Sequence, residues 1–219
     1  MHKKILLIFI IFLLTVSLSV SAARELNGDN LDLEQTEAGQ IFRASGNVEL
    51  IYDELRITAE DEGIYRRYNG EIEFRKNVEF FYRQYEGQAV ELTGNLEEER
   101  IHLTDQAQIT GPNSYLEADK IDIYQAEQRI EVKGNGYLEY NDFWAEADQI
   151  TYYLEREFIY LEGNVKGERN GESFSADAAE IDQKQEEVQL KGRAKLILPA
   201  AEDSEENPEE SVEAETDDN

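Results

Sequence analysis

The chain has 219 residues, no cysteine and a formal net charge of −28 at pH 7. The lack of cysteine excludes disulfide bonds, thiolate metal sites and a lipid-modified cysteine anchor. The strong negative charge repels nucleic acid phosphates and anionic membrane surfaces, so we expect no nucleic acid partner.

The amino terminus has the pattern of a secretory signal peptide over residues 1-22. Two lysines precede an apolar run of 16 residues from Ile5 to Val20, and small residues follow where a signal peptidase would cut. The run is shorter than the ~20 residues of a membrane-spanning helix. We therefore expect cleavage and export; an uncleaved segment would instead anchor the chain in a membrane.

The carboxyl-terminal residues 199-219 carry ten acidic side chains and no basic one. A segment with so few apolar side chains cannot offset the entropy lost on ordering. The sequence therefore predicts a disordered acidic tail, and it leaves residues 24-198 as one folded domain.

A unit of about 29 residues recurs through this domain. The repeat is marked by Gly134, Gly163 and Gly192, each 29 residues from the next. A second marker keeps the same spacing at Ala89, Ala118, Ala147 and Ala176. A fixed period of this length indicates one supersecondary unit stacked on copies of itself. We therefore expect function to lie along the stack and not in a single pocket.

Apolar and polar residues alternate with period two between the turn signals, which is typical of half-buried β-strands. The alternation is clear in Ile101 and Leu103 and again in Ile130 and Val132. It slips by one residue between Ala118, Ala147 or Ala176 and the isoleucine that follows, as a β-bulge would cause. The Gly-Asn-Val triplets are expected to end strands in turns or bulges with positive φ. The predicted fold class is all-β, with antiparallel strands and half of a further repeat in residues 24-33.

Catalytic and metal-binding patterns are missing from the sequence. The histidines are His2 and His102, too few for a zinc site or a nucleophile triad, and no phosphate-binding glycine loop occurs. The carboxylates beside the alanines recur once per repeat, so we expect a solvated outer face: Glu60, Asp119, Glu146, Asp148 and Asp177. We predict no enzyme activity and no cofactor; a carbohydrate-active β-solenoid enzyme with one carboxylate pair remains an alternative.

The inward positions mix large and small side chains, and the sequence allows two interpretations. Small residues such as Ala107 and Ala145 could leave a channel along the stack. Alternatively, large and small side chains could interdigitate and fill the core.

The repeated motifs resemble the OstA-like domain of lipopolysaccharide-transport proteins, the group of LptA, periplasmic LptC and the N-terminal domain of LptD. The resemblance rests on Gly46-Asn47-Val48 and Gly163-Asn164-Val165, with Lys76-Asn77-Val78 as a variant. It rests equally on Ala118-Asp119-Lys120-Ile121 and Ala147-Asp148-Gln149-Ile150. The similarity covers about residues 24-198.

This resemblance implies a β-jellyroll, or β-taco: a V-shaped sheet, open at both ends, in the periplasm. Its groove would shield the acyl chains of lipopolysaccharide on the way to the outer membrane. The apolar residues expected to line the groove are Val48, Leu50, Ile57, Phe74, Val78, Phe80, Leu103, Ile121, Leu138, Tyr140, Phe143, Ile150, Leu161, Phe174 and Leu196.

The resemblance also implies partners: lipopolysaccharide or a similar lipid, other OstA-like transport proteins, and further copies of the chain joined end to end. A relatively basic stretch is a weaker candidate for headgroup contact, through Arg66, Arg67, Arg75 and Lys76. Two alternatives stay open: an LptC-like component anchored in the inner membrane, and an envelope scaffold that binds no lipid.

Overall fold

The computed structural model describes residues 24–141 and 143–198, and all regular structure there is β. The predicted signal peptide and acidic tail lie outside the described residues. Within those ranges, no helix is long and apolar enough to cross a membrane. The strands are β1 (Arg24–Asn27), β2 (Asn30–Gln35), β3 (Gln40–Ser45), β4 (Val48–Tyr52), β5 (Leu55–Ala59), β6 (Glu62–Arg66), β7 (Glu71–Tyr82), β8 (Tyr85–Asn95), β9 (Arg100–Gly111), β10 (Ser114–Tyr124), β11 (Arg129–Tyr140), β12 (Phe143–Tyr153), β13 (Phe158–Arg169), β14 (Glu172–Asp182), β15 (Glu187–Lys191) and β16 (Lys195–Ile197).

The strands form one antiparallel sheet that is bent lengthwise into two faces. In β7, residues 71–75 pair with β6, whereas residues 79–82 pair with β5. Face one consists of β2, β3, β6, the first halves of β7, β9, β11 and β13, the second halves of β8, β10, β12 and β14, and β15. Face two consists of β1, β4, β5, the other halves of β7 to β14, and β16. Each face has twelve strands, so at ~4.8 Å per strand the stack is about 50 Å long.

The recurring Gly-Asn motif forms the bend between the two faces. Gly134 and Asn135 have φ values of 77° and 49°, and both lie inside β11, where the register with β12 shifts. Gly163 and Asn164 do the same inside β13. The predicted positive φ and bulge are confirmed. The prediction that these motifs end strands is wrong for β7, β11 and β13, because pairing resumes beyond the bend.

A side-chain hydrogen bond holds most of these bends. The Nδ2 of Asn135 donates to Asp119 Oδ2 at 3.0 Å, and the Nδ2 of Asn164 donates to Asp148 Oδ2 at 2.9 Å. Asn47 donates to Asp29 in the same way, which agrees with a further half repeat at residues 24-33. Asp119 and Asp148 therefore do more than solvate an outer face, since they hold the corner of the V, whereas Glu146 lies on the outer surface beside Lys166.

The core lies between the faces and is one continuous apolar cluster. The marker alanines Ala89, Ala118, Ala147 and Ala176 are buried beside the bends, where the two faces converge and leave room only for small side chains. Larger side chains fill the wider part of the V. In the described residues this supports interdigitation in the middle of the stack.

Candidate functional site

The fold brings the predicted groove residues together between the two faces. Phe74, Leu103, Ile121, Ile150 and Leu161 point inward from face one. Face two supplies the rest: Val48, Leu50, Ile57, Val78, Phe80, Leu138, Tyr140, Phe143, Phe174 and Leu196. All of them except Tyr140 and Leu196 are buried. Their contact with lipid stays a prediction.

The interior opens at the amino-terminal end of the stack. A cavity of about 570 Å³ lies between β1, β2, β3, β4 and β6. Leu31 and Leu33 point into it from β2 yet are 56% and 61% exposed, because β2 pairs only with β3 in the part of the chain that the structure describes. Phe42 and Leu50 also line it. An apolar surface is thus accessible from solvent without any movement of the core.

Two arginines flank this cavity. The guanidinium of Arg24 lies 4.3 Å from the ring centre of Tyr52 and pairs with Asp53 at 3.3 Å, and that hydrogen bond raises the pKa of Arg24. Arg67 donates to the side chain of Gln40 at 3.1 Å. Arg24 was not among the predicted site residues, because its place depends on the pairing of β1 with β4. Glu25 and Asp32 also line the cavity, so the rim has no excess of positive charge, and each guanidinium can contact an anionic group only locally.

The other predicted basic residues do not gather at this site. Arg66 pairs with Glu71 and Glu73, and Arg75 also pairs with Glu73, on the outer side of face one. Lys76 lies at a bend, 3.5 Å from Glu60. Of the four predicted headgroup contacts, only Arg67 lines the cavity.

The carboxyl-terminal end of the stack has a smaller opening. A cavity of about 320 Å³ there is lined by Phe174, Val188, Leu190 and Leu196, with Arg169 at its edge. Leu196 is 54% exposed, and Ile197 and Leu198 beside it are also exposed. Both ends of the interior therefore present apolar side chains to solvent.

At two places along the long mouth of the V, opposite the bends, aromatic side chains of the two faces meet. Tyr140 of face two meets Tyr152 of face one edge to face, with ring centroids 6.0 Å apart. Burial and the neighbouring Tyr140 raise the pKa of Tyr152. Near the amino-terminal end, Tyr52 and Tyr65 make a similar contact at 6.4 Å. A small apolar pocket of about 70 Å³ lies just inside the mouth, beside Tyr82 and Tyr85.

The described residues contain no group of three or more His, Cys, Asp or Glu side chains placed to hold a metal ion. An unrepeated polar cluster lies on the outer side of face one, around Asp122, which is 3% exposed. Asp122 lies 2.8 Å from His102 Nδ1 and accepts a hydrogen bond from Lys133 Nζ at 3.1 Å. Burial raises the pKa of Asp122, but these hydrogen bonds outweigh it and hold the pKa below its usual range. The cluster is a fully paired buried charge, which is a structural role.

Comparisons with known proteins agree with the predicted fold. A family described as LptA/(LptD N-terminal domain) LPS transport protein matches residues 25–129 and again residues 113–187. Among solved structures, the fold is similar to LptH of Pseudomonas aeruginosa, described as the LptA-homologous periplasmic component of the conserved lipopolysaccharide transport device. That similarity has a TM-score of 0.50 and 13% identity, and covers 53% of this chain and 95% of LptH. No curated protein matches the sequence.

Proposed function

Because this chain belongs to the LptA/LptD N-terminal domain family of lipopolysaccharide transport proteins, we propose that it is a transport bridge in the periplasm. In this proposal its two faces hold the acyl chains of lipopolysaccharide and shield them from water on the way to the outer membrane. Burial of one CH₂ is worth ~0.8 kcal/mol, so an acyl chain of about twelve carbons gains up to roughly 10 kcal/mol from an apolar environment. Such a carrier needs no precise polar site.

One observation carries this proposal: an apolar interior with an open, solvent-accessible end. The amino-terminal cavity of about 570 Å³ already offers Leu31, Leu33 and Phe42 to a hydrocarbon chain. Arg24 and Arg67 line it together with Glu25 and Asp32, and in this proposal the two arginines contact the phosphates of an acylated headgroup. This end is therefore the proposed entry or exit point for the lipid.

Further along the stack the lipid must displace contacts that the two faces make with each other. Leu103 and Leu138 are completely buried, so an acyl chain can reach them only if the mouth opens. The net free-energy gain is then smaller than the full transfer free energy of the acyl chain, because the two faces lose their contacts with each other when the mouth opens. The aromatic pairs Tyr140–Tyr152 and Tyr52–Tyr65 join the two faces at the mouth. Such contacts can separate without leaving a buried ion pair unpartnered.

The length of the stack suits a bridge. The family matches this chain twice, and LptH corresponds to about half of it. One chain would thus supply a groove of about 50 Å, at ~4.8 Å per strand. A bridge built from this chain would need fewer junctions than one built from single units.

Junctions with other proteins are proposed at the two ends of the stack. Among residues 24–141 and 143–198, the end strands β1, β2, β15 and β16 each pair with a strand on one side only, and such edges readily pair with strands of another chain. The exposed Leu33 at one end and Leu196 at the other add apolar surface. We propose that these ends bind other family members or further copies of this chain.

A lipid titration with matched variants tests the proposal. Leu33→Glu places a charge in the amino-terminal cavity, whereas Val90→Glu places the same charge at an exposed apolar position on the outer surface. We expect Leu33→Glu to weaken binding of a fluorescent acyl-chain probe, and of lipopolysaccharide itself, by about tenfold or more. Val90→Glu should bind like the parent chain.

Equal binding by both variants would contradict the cavity as the lipid site. If neither lipid binds the parent chain while family partners still bind its ends, the scaffold alternative is correct.

A further inference from the structure

A row of three aromatic side chains crosses the outer surface of face two. Tyr115 on β10, Tyr137 on β11 and Trp144 on β12 lie on adjacent strands and are all partly exposed. The rings of Tyr115 and Tyr137 are 6.3 Å apart, and those of Tyr137 and Trp144 are 6.4 Å apart and nearly parallel. We refer to these three residues as the aromatic row. The row presents a continuous aromatic strip among polar and charged side chains.

The repeat architecture does not require these side chains. Tyr115 and Trp144 lie 29 residues apart and so occupy equivalent positions in two successive repeats. In the repeats beyond them, and at the equivalents of Tyr137, the chain has the polar residues Glu86, Gln108, Lys166 and Ser173. The neighbouring strands therefore form the same sheet without an aromatic surface. Cross-strand aromatic pairs do stabilise a sheet, but that need is equal in all repeats. On face two the three adjoining rings are confined to β10, β11 and β12, although Tyr153, Phe158 and Tyr160 form a separate aromatic cluster on face one. This confinement to one place on face two points to a ligand.

Carboxylates accompany the row on both sides. The hydroxyl of Tyr115 donates a hydrogen bond to Glu117 at 2.6 Å, and the hydroxyl of Tyr137 donates one to Glu139. Burial and Glu117 raise the pKa of Tyr115 to about 12, and Glu139 with burial raises that of Tyr137 to about 12. Both hydroxyls are thus protonated at neutral pH. Glu168 is paired in register with Trp144.

This chemistry selects the kind of partner. The carboxylates repel phosphate and other anions, and they still have free lone pairs to accept hydrogen bonds from hydroxyl groups. The aromatic faces carry partial negative charge and attract the weakly positive C–H groups of a flat, apolar ring face. A neutral sugar ring has both features, since its hydroxyls lie around the edge and its C–H bonds lie on the faces.

We propose that the aromatic row binds the neutral sugar units of a saccharide chain. The rings of Tyr115, Tyr137 and Trp144 would stack on successive sugar faces, and Glu117 and Glu139 would accept hydrogen bonds from the sugar hydroxyls. Tyr115 and Trp144 each lie one residue from the start of their strands at the mouth of the V. A saccharide attached to a lipid in the groove would leave the mouth beside them. The link between the aromatic row and a lipid-attached saccharide therefore rests on the proposed function.

The experiment uses Trp144 as its reporter, because it is the single tryptophan of the chain. The emission of Trp144 is followed while the full chain is titrated with lipid-free polysaccharide, released from bacterial lipopolysaccharide by mild acid, or with dextran. We expect saturable changes with at least the polysaccharide, and about tenfold weaker binding for Tyr137→Ala. The matched control is Tyr160→Ala, an exposed tyrosine on the outer side of face one, which should bind like the parent.

Other results would overturn the inference. An unchanged emission with both saccharides, or equal weakening by Tyr160→Ala, would rule out the aromatic row as a saccharide site. A response to deca-arginine in place of the saccharides would identify the surface as a docking site for a cationic protein.

The saccharide inference and the lipid bridge can fail separately. A normal polysaccharide response in a chain that binds no acyl-chain probe would refute the bridge and retain the row. Intact lipopolysaccharide should bind more tightly than its lipid-free polysaccharide, and Leu33→Glu should remove that advantage. Equal affinities in the parent chain would overturn the link between the row and a transported lipid.

Discussion

The bend between the two faces can be tested with two glycines that share a backbone conformation. Gly163 at a bend and Gly171 at a hairpin tip have φ values of 77° and 80°. A Cβ at residue 163 would collide with the Asp148 carboxylate, whereas a Cβ at residue 171 would meet no atom within 4 Å. Replacing each by alanine therefore separates the cost of positive φ from the cost of losing the bend.

The expected magnitudes follow from these contacts. Alanine in the left-handed region costs about 1–2 kcal/mol. Replacing glycine by alanine also reduces the conformational entropy of the unfolded chain, which offsets about 0.4–1 kcal/mol of that cost. Gly171→Ala should therefore lower the free energy of unfolding by about 1 kcal/mol. Gly163→Ala must also displace Asp148 from its hydrogen bond with Asn164, at 2.9 Å. That adds about 1 kcal/mol for the bond and about 1 kcal/mol for the displaced rotamer, for a total near 3 kcal/mol.

The assay is urea unfolding followed by far-ultraviolet circular dichroism, with thermal unfolding in parallel. For a body of this size 1 kcal/mol corresponds to a shift of about 2–4 °C in Tm. In the double variant Gly163→Ala/Asp148→Ala the clash is absent, so its total cost should be less than the sum of the two single costs. If Gly163→Ala costs no more than Gly171→Ala, or if the double variant is additive, the side chain of Asp148 does not hold the bend.

Three further predictions follow from the buried residues. Phe74→Ala should lower the free energy of unfolding, measured by urea unfolding, by about 3–5 kcal/mol, because Phe74 is completely buried between the faces. A cost below about 1 kcal/mol would mean that the interior collapses around the space left by the ring. Asp122→Asn should cost about 1–3 kcal/mol at pH 7, because His102 and Lys133 lose their carboxylate partner. The lowered pKa of Asp122 stabilises the fold above the unfolded value near ~3.9, and this contribution is lost as the pH falls through the folded pKa. The stability gap between parent and Asp122→Asn should therefore shrink as the pH falls below about 4; a gap that keeps widening below about pH 4 would contradict this sign.

The sequence predicted the repeat and the inward residues because both depend on local spacing. Alternation with period two identifies which side of a strand faces the core, and this holds for residues as far apart as Leu50 and Leu161. Glycines at a fixed interval identify positive φ, as at Gly134. Family resemblance then gave the pairing of these units into a V.

Features that depend on neighbours across strands could not be read from the sequence. The bend inside β11 looks locally like a turn, and only the resumed pairing with β12 shows that the strand continues. Arg24 reaches the cavity because β1 pairs with β4, a contact of residues 28 positions apart at the Arg24–Tyr52 pair. The aromatic row is also a cross-strand arrangement, since Tyr115 and Trp144 become neighbours of Tyr137 only in the folded sheet.

Site-specific photo-crosslinking tests the central claim most directly, because it reports which side of one strand touches lipid. A photoreactive residue at Leu138 points between the faces, and one at the adjacent Glu139 points to solvent. With lipopolysaccharide loaded, we predict a lipid adduct from position 138 and little or none from position 139. Equal adducts from both positions, or an adduct from position 139 alone, would contradict a lipid path through the interior.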